Sequence, residues 1–239
     1  MHPAPPPVVT IGLHGSASTW VFNVVRELLI AAHGEAAVLA VYADKVEQLP
    51  AEAARAGRHL LVKSHHGSPA MDAWLAESGA QIFLSVRDPR DAALSMSQRF
   101  EAPLPAAAAW IAQDCRRMVR LAAQGHRMLR YEDRFFEQPA WAARLAVALG
   151  LDLPAAEISG IFGRYGTEAT RTFAAALAEL PPERLTKVGK YPMDTVTQIL
   201  APHIGDARSG KWRNLPPPLR AGLTRALLPF LEPLGYAAE

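Results

Sequence analysis

Val8 to Leu13 reads VVTIGL, His14 to Ser18 reads HGSAS, and Thr19 to Ala32 reads TWVFNVVRELLIAA. The first run is β-branched and apolar, which favours a buried strand. It follows a Pro-rich leader, residues 1–7, which has no place inside a sheet. The third run repeats its apolar side chains at helical spacing and is followed by Gly34, a helix stop. A strand, a short loop of small residues and a helix form the opening unit of a nucleotide-binding α/β protein.

The pattern repeats outward from there. Strands are expected at Ala37–Tyr42, His59–Lys63 and Ile82–Val86, each separated from the next by Ala-rich or charged segments of helical period. A further strand is expected at His126–Tyr131, after a long helix over Ala106–Gln124. Such alternation predicts an α/β fold with a central, mainly parallel β-sheet flanked by helices. From Trp141 onward the pattern is helical. Residues 181–214 read as an extended loop region with one short helix near Met193–Leu200, and Pro217–Phe230 as a final amphipathic helix. No internal repeat is evident, and residues 1–239 are expected to form a single domain.

Composition narrows the function classes. The 239 residues are 50% hydrophobic, with 25 Lys+Arg against 23 Asp+Glu and a net charge of +2. A nucleic-acid-coating protein normally carries a large basic excess, so that class is disfavoured. The single cysteine, Cys115, excludes a disulfide framework and a Cys-based zinc cluster. No apolar run is long enough for a membrane span, and the N-terminus lacks the layout of a signal peptide. A cytoplasmic enzyme is the expected class.

The loop after the first strand suits an anion. Small side chains let backbone N–H groups close on a phosphate or sulfate at a helix start. Ser16, Ser18 and Thr19 add hydroxyls. The ATP/GTP signature is absent, since no Lys precedes Ser18 or Thr19. An ordinary strand-to-helix turn with a Ser/Thr cap reads equally well from this segment alone.

Three further segments decide between these readings. Leu61–His66 is LVKSHH, Ser85–Ser95 is SVRDPRDAALS, and Gly205–Asn214 is GDARSGKWRN. In this order the chain resembles the sulfotransferases that use 3'-phosphoadenosine 5'-phosphosulfate (PAPS). Their loop P-K-S-G-T-T-W is matched by His14–Trp20, HGSASTW. Their K-[ST]-H is matched by Lys63-Ser64-His65, and their R-[DN]-P-[RK]-D-x-x-x-S by Arg87 through Ser95. Their Y-E-D is matched by Tyr131-Glu132-Asp133, and their G-x-W-[KR]-N is similar to Gly210–Asn214. The likeness spans residues 8–214, and the R-D-P-R-D segment is its most specific part.

The resemblance implies a P-loop-NTPase-like sheet, a helical C-terminal part, and PAPS as sulfuryl donor with no metal. Gly15, Ser16, Ala17, Ser18 and Thr19 would hold the sulfuryl end, where donors must follow charge onto the leaving phosphate. Arg87 and Ser95 would hold the 3'-phosphate, which a guanidinium can bind bidentately. Arg208, Ser209 and Gly210 would close over that phosphate from a C-terminal loop. Trp20 would stack on adenine, against the plainer reading of a core aromatic. His65 would be the base for the acceptor hydroxyl or amine, with Lys63 steadying the transferred group, and Tyr131 is read as structural. The acceptor would be a small molecule, glycan or lipid, and the Ala-rich helices would permit a homodimer.

One position departs from the family pattern. Gly15 stands where the family has Lys or Arg, a cation that offsets charge on the leaving phosphate. Three explanations remain open: another cation (His14, Lys211 or Arg213) substitutes in space, Lys63 carries more of the load, or the protein binds nucleotide with little or no transfer. A silent nucleotide-binding protein is therefore one alternative. A P-loop kinase is another, disfavoured by the missing Lys-Ser/Thr pair.

Overall fold

A computed structural model describes residues 5–50, 57–201, 205 and 207–238. The first four residues of the Pro-rich leader and Asp206 of the GDARSGKWRN segment lie outside that set.

Five strands form the central sheet: β1 (Val8–Gly12), β2 (Val38–Tyr42), β3 (His59–Ser64), β4 (Gln81–Val86) and β5 (Arg127–Arg130). Their order is β2-β3-β1-β4-β5, with β1 parallel to both β3 and β4, and β4 parallel to β5. Every residue of β1 is buried, as expected of a central parallel strand covered on both faces. Its one polar side chain, Thr10, donates its hydroxyl to the Val62 carbonyl at 3.4 Å. The parallel register aligns Ile11 with Ser64 and Gly12 with Ser85, so three strand ends finish side by side. Loops leaving the C-terminal ends of such strands are where α/β proteins assemble sites.

The chain divides into two compact units. The first comprises residues 5–18, 39–50, 57–133 and 208–238 among those described. It holds the sheet, α2 (Pro69–Glu77), α3 (Pro89–Phe100), α4 (Leu104–Ala122) and α8 (Pro217–Leu231), numbering helices in chain order. Helix α3 packs on α4, and α8 packs on both. Their shared core joins Val9, Ile11 and Leu84 of the strands to Ile111, Met118 and Leu227 of the helices. Arg90, at the start of α3, is buried with its guanidinium on Asp88 and its remaining donors on the Ala237 and Ala238 carbonyls.

The second unit comprises residues 19–38, 134–201, 205 and 207 among those described. It contains most of α1 (Ser18–His33), then α5 (Pro139–Ala148), α6 (Ala155–Tyr165), α7 (Thr167–Ala175) and the hairpin β6 (Leu185–Val188) with β7 (Tyr191–Asp194). Within it Arg26 donates to the Val196 carbonyl and the Tyr165 hydroxyl, while Asn23 bonds the Thr197 carbonyl.

The hairpin corrects the expectation of a helix near Met193–Leu200. Residues 191–194 pair antiparallel with 185–188 across the Gly189-Lys190 turn, where Gly189 is left-handed at φ +60. Asp194 is buried and accepts from Val196 N, Thr197 N and the Thr197 hydroxyl. An Asp that takes the N–H groups two and three residues ahead closes a turn and competes with a helix. The five central strands, α1, α4 and α8 agree with the sequence reading to within a few residues at each end; of the segment of helical period expected between β2 and β3, residues 51–56 lie outside the described set. Among the described residues no helix is long and apolar enough to cross a membrane.

Candidate functional site

The loop after β1 is curled. Gly15 has φ +79 and Ala17 φ +60, both left-handed. Changes of hand at close spacing turn backbone N–H groups towards one point. For Ala17 the left-handed conformation costs about 1–2 kcal/mol, the kind of local strain that collects at functional sites. Ser16 is turned into the fold: its hydroxyl donates to the Leu13 carbonyl at 2.7 Å and lies 2.9 Å from the Ser85 hydroxyl. Ser18 and Thr19 are buried in the first turn of α1.

Arg87, at the end of β4, ties this loop to the C-terminal segment. One terminal nitrogen donates to the Gly15 carbonyl at 3.1 Å and the other to the Arg208 carbonyl at 2.7 Å. Its guanidinium lies 4.1 Å from the Tyr131 ring centre, and its buried Nε has no hydrogen-bond partner among the described residues. Asp88 caps α3 by accepting from Arg90 N, and this sets Ser95 on the face towards the loop. A β-carbon added at Gly15 would lie 3.5 Å from the Ser95 hydroxyl and 3.9 Å from Arg87. Gly15, Arg87, Ser95 and Arg208 therefore come together.

The segment after Arg208 is fixed by Asp91. Its carboxylate accepts from Gly210 N and, at 3.0 Å, from Trp212 N. Arg90 then lies over the Trp212 ring at 3.6 Å. Arg208 and Ser209 themselves are exposed. Lys211 reaches Gln98 at 3.1 Å and Arg213 lies over Trp212 at 4.7 Å.

His65 follows β3 and is buried. Its Nδ1 is 2.6 Å from the Gly12 carbonyl, which can only accept, so Nδ1 carries the proton and Nε2 keeps its lone pair. Burial, then the neighbouring His14 and Lys63, push its pKa well below 6.5. A neutral imidazole with Nε2 as the basic atom is the form needed to take a proton. The supporting loop is tightly held. Asp44 accepts from Ser64 Oγ at 2.8 Å, His65 N at 2.7 Å, Gly67 N at 3.3 Å and Tyr42 at 2.5 Å. Burial raises the Asp44 pKa, but those four bonds outweigh it and bring it down to about 2. From α4, Arg117 donates to Ser64 Oγ at 2.7 Å and to the His65 carbonyl at 3.2 Å.

Lys63 is buried at the end of β3. Burial first, and then the charge of Arg99, lower its pKa to about 7, against a smaller opposing pull from Asp44. Arg99 is lowered to about 10 by burial and then by Arg87. Three cations that raise one another's energy form a site suited to an anion. Arg99 lies one helical turn beyond Ser95 on α3, a spacing that would have singled it out once Ser95 was chosen.

The motifs also miss a cluster around Asp114 on α4. Its carboxylate oxygens lie 2.6 Å from His14 Nδ1 and 2.7 Å from His66 Nδ1. Burial pushes the Asp114 carboxyl up, yet the bonds from His14 and His66 hold it well below the usual carboxylate range. Trp110 Nε1 donates to His66 Nε2 at 3.0 Å. The Asp114 bond draws the His66 pKa above 6.5, so protonating His66 must break the Trp110 bond. Three donor atoms of His14, His66 and Asp114 lie within 4.8 Å of one another, a spacing open to a metal ion. The Trp110 bond requires the lone pair of His66 on Nε2, however, which places its proton on Nδ1 towards Asp114. His14 meets Asp114 through a hydrogen bond, while His66 Nδ1 lies against the other carboxylate oxygen as a close contact without hydrogen-bond alignment.

Trp20 belongs to the second unit. Its indole is buried against Phe135 at 5.4 Å and Phe162 at 6.2 Å, with Nε1 unpartnered among the described residues. The ring contacts are those of a core aromatic.

With fold and geometry in place, the class is defined: the chain has the fold of the sulfotransferases. It superposes on a retinol dehydratase in complex with androsterone and the inactive cofactor PAP, with TM-score 0.63 and 17% identity over 97% of this chain and 82% of that one. A mouse sulfotransferase, SULT7A1, complexed with PAP gives TM-score 0.64 and 12% identity over 94% and 83%. Retinol dehydratase with retinol and PAP gives TM-score 0.63 and 15% identity over 97% and 83%. No family model matches the sequence, and no curated protein matches it significantly.

Proposed function

We propose that the protein is a PAPS-dependent sulfotransferase, transferring a sulfuryl group to a hydroxyl or amine of a small molecule, glycan or lipid. The observation that carries this reading is the convergence of Arg87, Ser95, Gly15 and Arg208 beside the loop that also carries the neighbours of His65. The solved structures of the same fold hold PAP, adenosine 3',5'-bisphosphate, which is the product PAPS would leave.

The residues fit that nucleotide. Arg87 spends its terminal donors on two backbone carbonyls and keeps a buried, unpartnered Nε. A 3'-phosphate bound between it and Ser95 replaces weak acceptors with charged ones. The curled residues 15–17 with the start of α1 hold the 5' end, and Arg208, Ser209 and Gly210 cover the 3' end. When bound, PAPS supplies a sulfuryl group on a phosphate leaving group. His65 Nε2 takes the proton of the acceptor, Lys63 steadies the transferred oxygens, and burial keeps water from competing.

Gly15 removes one cation from the loop, and the cluster of Lys63, Arg87 and Arg99 offsets it. A lysine at position 15 would be directed at Arg87, within reach of its charge. Calorimetry tests the assignment: adenosine 3',5'-bisphosphate should bind at least tenfold tighter than AMP, about 1.4 kcal/mol. Equal binding of the two removes the 3'-phosphate site and the proposal with it.

A further inference from the structure

Asp114 lies outside every nucleotide motif, yet it is buried and engages two imidazoles at once. Trp110, Asp114 and Arg117 fall at i, i+4 and i+7 on α4, so one helix face presents all three. Arg117 grips the backbone and Ser64 below His65. Asp114 grips the rings on either side of it. It accepts from His14 N at 3.3 Å as well as meeting His14 Nδ1 at 2.6 Å, so the residue is held at main chain and ring together. The His14 ring then lies on His65, with centroids 4.0 Å apart and planes 23° from parallel. On the other side His66 Nδ1 lies 2.7 Å from Asp114, and its Nε2 accepts from Trp110, whose ring lies 6.0 Å from Phe100.

An imidazole anchored at one nitrogen can still rock about that bond. A second ring fixed against its face removes the motion. We propose that Asp114 is a positioning residue for His65: through His14 it supplies the wall that holds the His65 ring in one plane. Among the described residues, the titratable and charged groups facing His65 are His14, Lys63, Asp44, Asp114, Arg117 and Tyr42. Among them only His14 lies stacked on its ring.

This inference rests on the reading of His65 as the base, and its test is independent of turnover. Long-range nitrogen–proton spectra of the full chain, labelled at histidine, report which ring nitrogen of each imidazole carries the proton. His65 should show a single Nδ1–H form at pH 7. In Asp114→Asn the amide can accept from one histidine only, and its N–H opposes the other. His14→Ala, at a partly exposed position, removes the wall directly and guards against misfolding of the first variant. Either change should broaden or split the His65 signals, and in Asp114→Asn the affinity for adenosine 3',5'-bisphosphate should stay within about twofold, because Asp114 is in no nucleotide motif. Unchanged His65 signals in both variants overturn the proposal. Failure of the wild-type chain to bind adenosine 3',5'-bisphosphate overturns the sulfotransferase reading instead, and the His65 spectra still decide the positioning role.

Discussion

His14 and Gly15 are neighbours in the chain but are held from opposite sides by opposite charges. Asp114 accepts the backbone N–H of His14, and Arg87 donates to the carbonyl of Gly15. The cation has backbone carbonyls for partners, which exchange readily for phosphate oxygens. The anion has an imidazole against each oxygen instead, one hydrogen-bonded and one in close contact. In the proposed reading, one flank of the loop would receive the ligand and the other would stay still around the base. Both charges are buried, so neither flank tolerates an empty partner: an unpaired buried charge costs several kcal/mol.

The contrast can be broken from the rigid flank first. His65→Ala should lower sulfuryl transfer by about 10²–10⁴-fold, read with labelled PAPS over a set of acceptors, and leave binding of adenosine 3',5'-bisphosphate intact. On the exchangeable flank the order reverses. Arg87→Met should weaken that binding by about 10–150-fold, the worth of hydrogen bonds to a charged group, and leave AMP affinity almost unchanged in calorimetry.

Gly67 tests the support of the rigid flank. It is left-handed at φ +62, and a β-carbon there would lie 2.2 Å from the Arg117 guanidinium. Gly67→Ala should cost about 2 kcal/mol, from backbone strain and from displacing a buried cation, seen as a fall in Tm. Lys63 tests the ligand flank through pH. Its pKa of about 7 means the free protein loses that proton above neutrality, while a bound phosphate favours the ammonium. Nucleotide binding should therefore take up a proton, and Kd should rise by up to about tenfold between pH 7 and 8. The smallest effect belongs to an exposed pair in the second unit. Arg171→Ala removes a contact with Glu168 and should change stability by less than about 1 kcal/mol.

The residues proposed for the nucleotide could be picked out because they sit in short linear runs at strand ends. Lys63-Ser64-His65 and Arg87 through Ser95 each carry strand, turn and helix start within a dozen positions. The five strands were legible for the same reason, from apolar runs and their stops. Asp114 was not. Its partners are 100 positions away at His14 and 48 away at His66, and an acid on an Ala-rich amphipathic helix reads as solvated surface. Asp44 and Arg117 were hidden likewise, since helix or turn spacing alone does not say which face meets a loop, whereas the helical spacing of Arg99 from Ser95 was there to be read. The hairpin at 185–194 was misread because Asp194 takes its bonds from backbone groups, which spacing does not reveal.

The buried guanidinium of Arg90 reaches Asp88 two residues away and the carbonyls of Ala237 and Ala238 nearly 150 residues later. On a ribosome, that places an obligation on timing. The start of α3 emerges long before the residues that complete its solvation, and α8, which covers α3 and α4, also follows both of them in the chain. The sheet unit cannot close until the segment of Ala237 and Ala238 has been made, so its final packing waits on residues far along the chain. Loss of the segment around Ala237 should then harm assembly well before it touches the chemistry at His65.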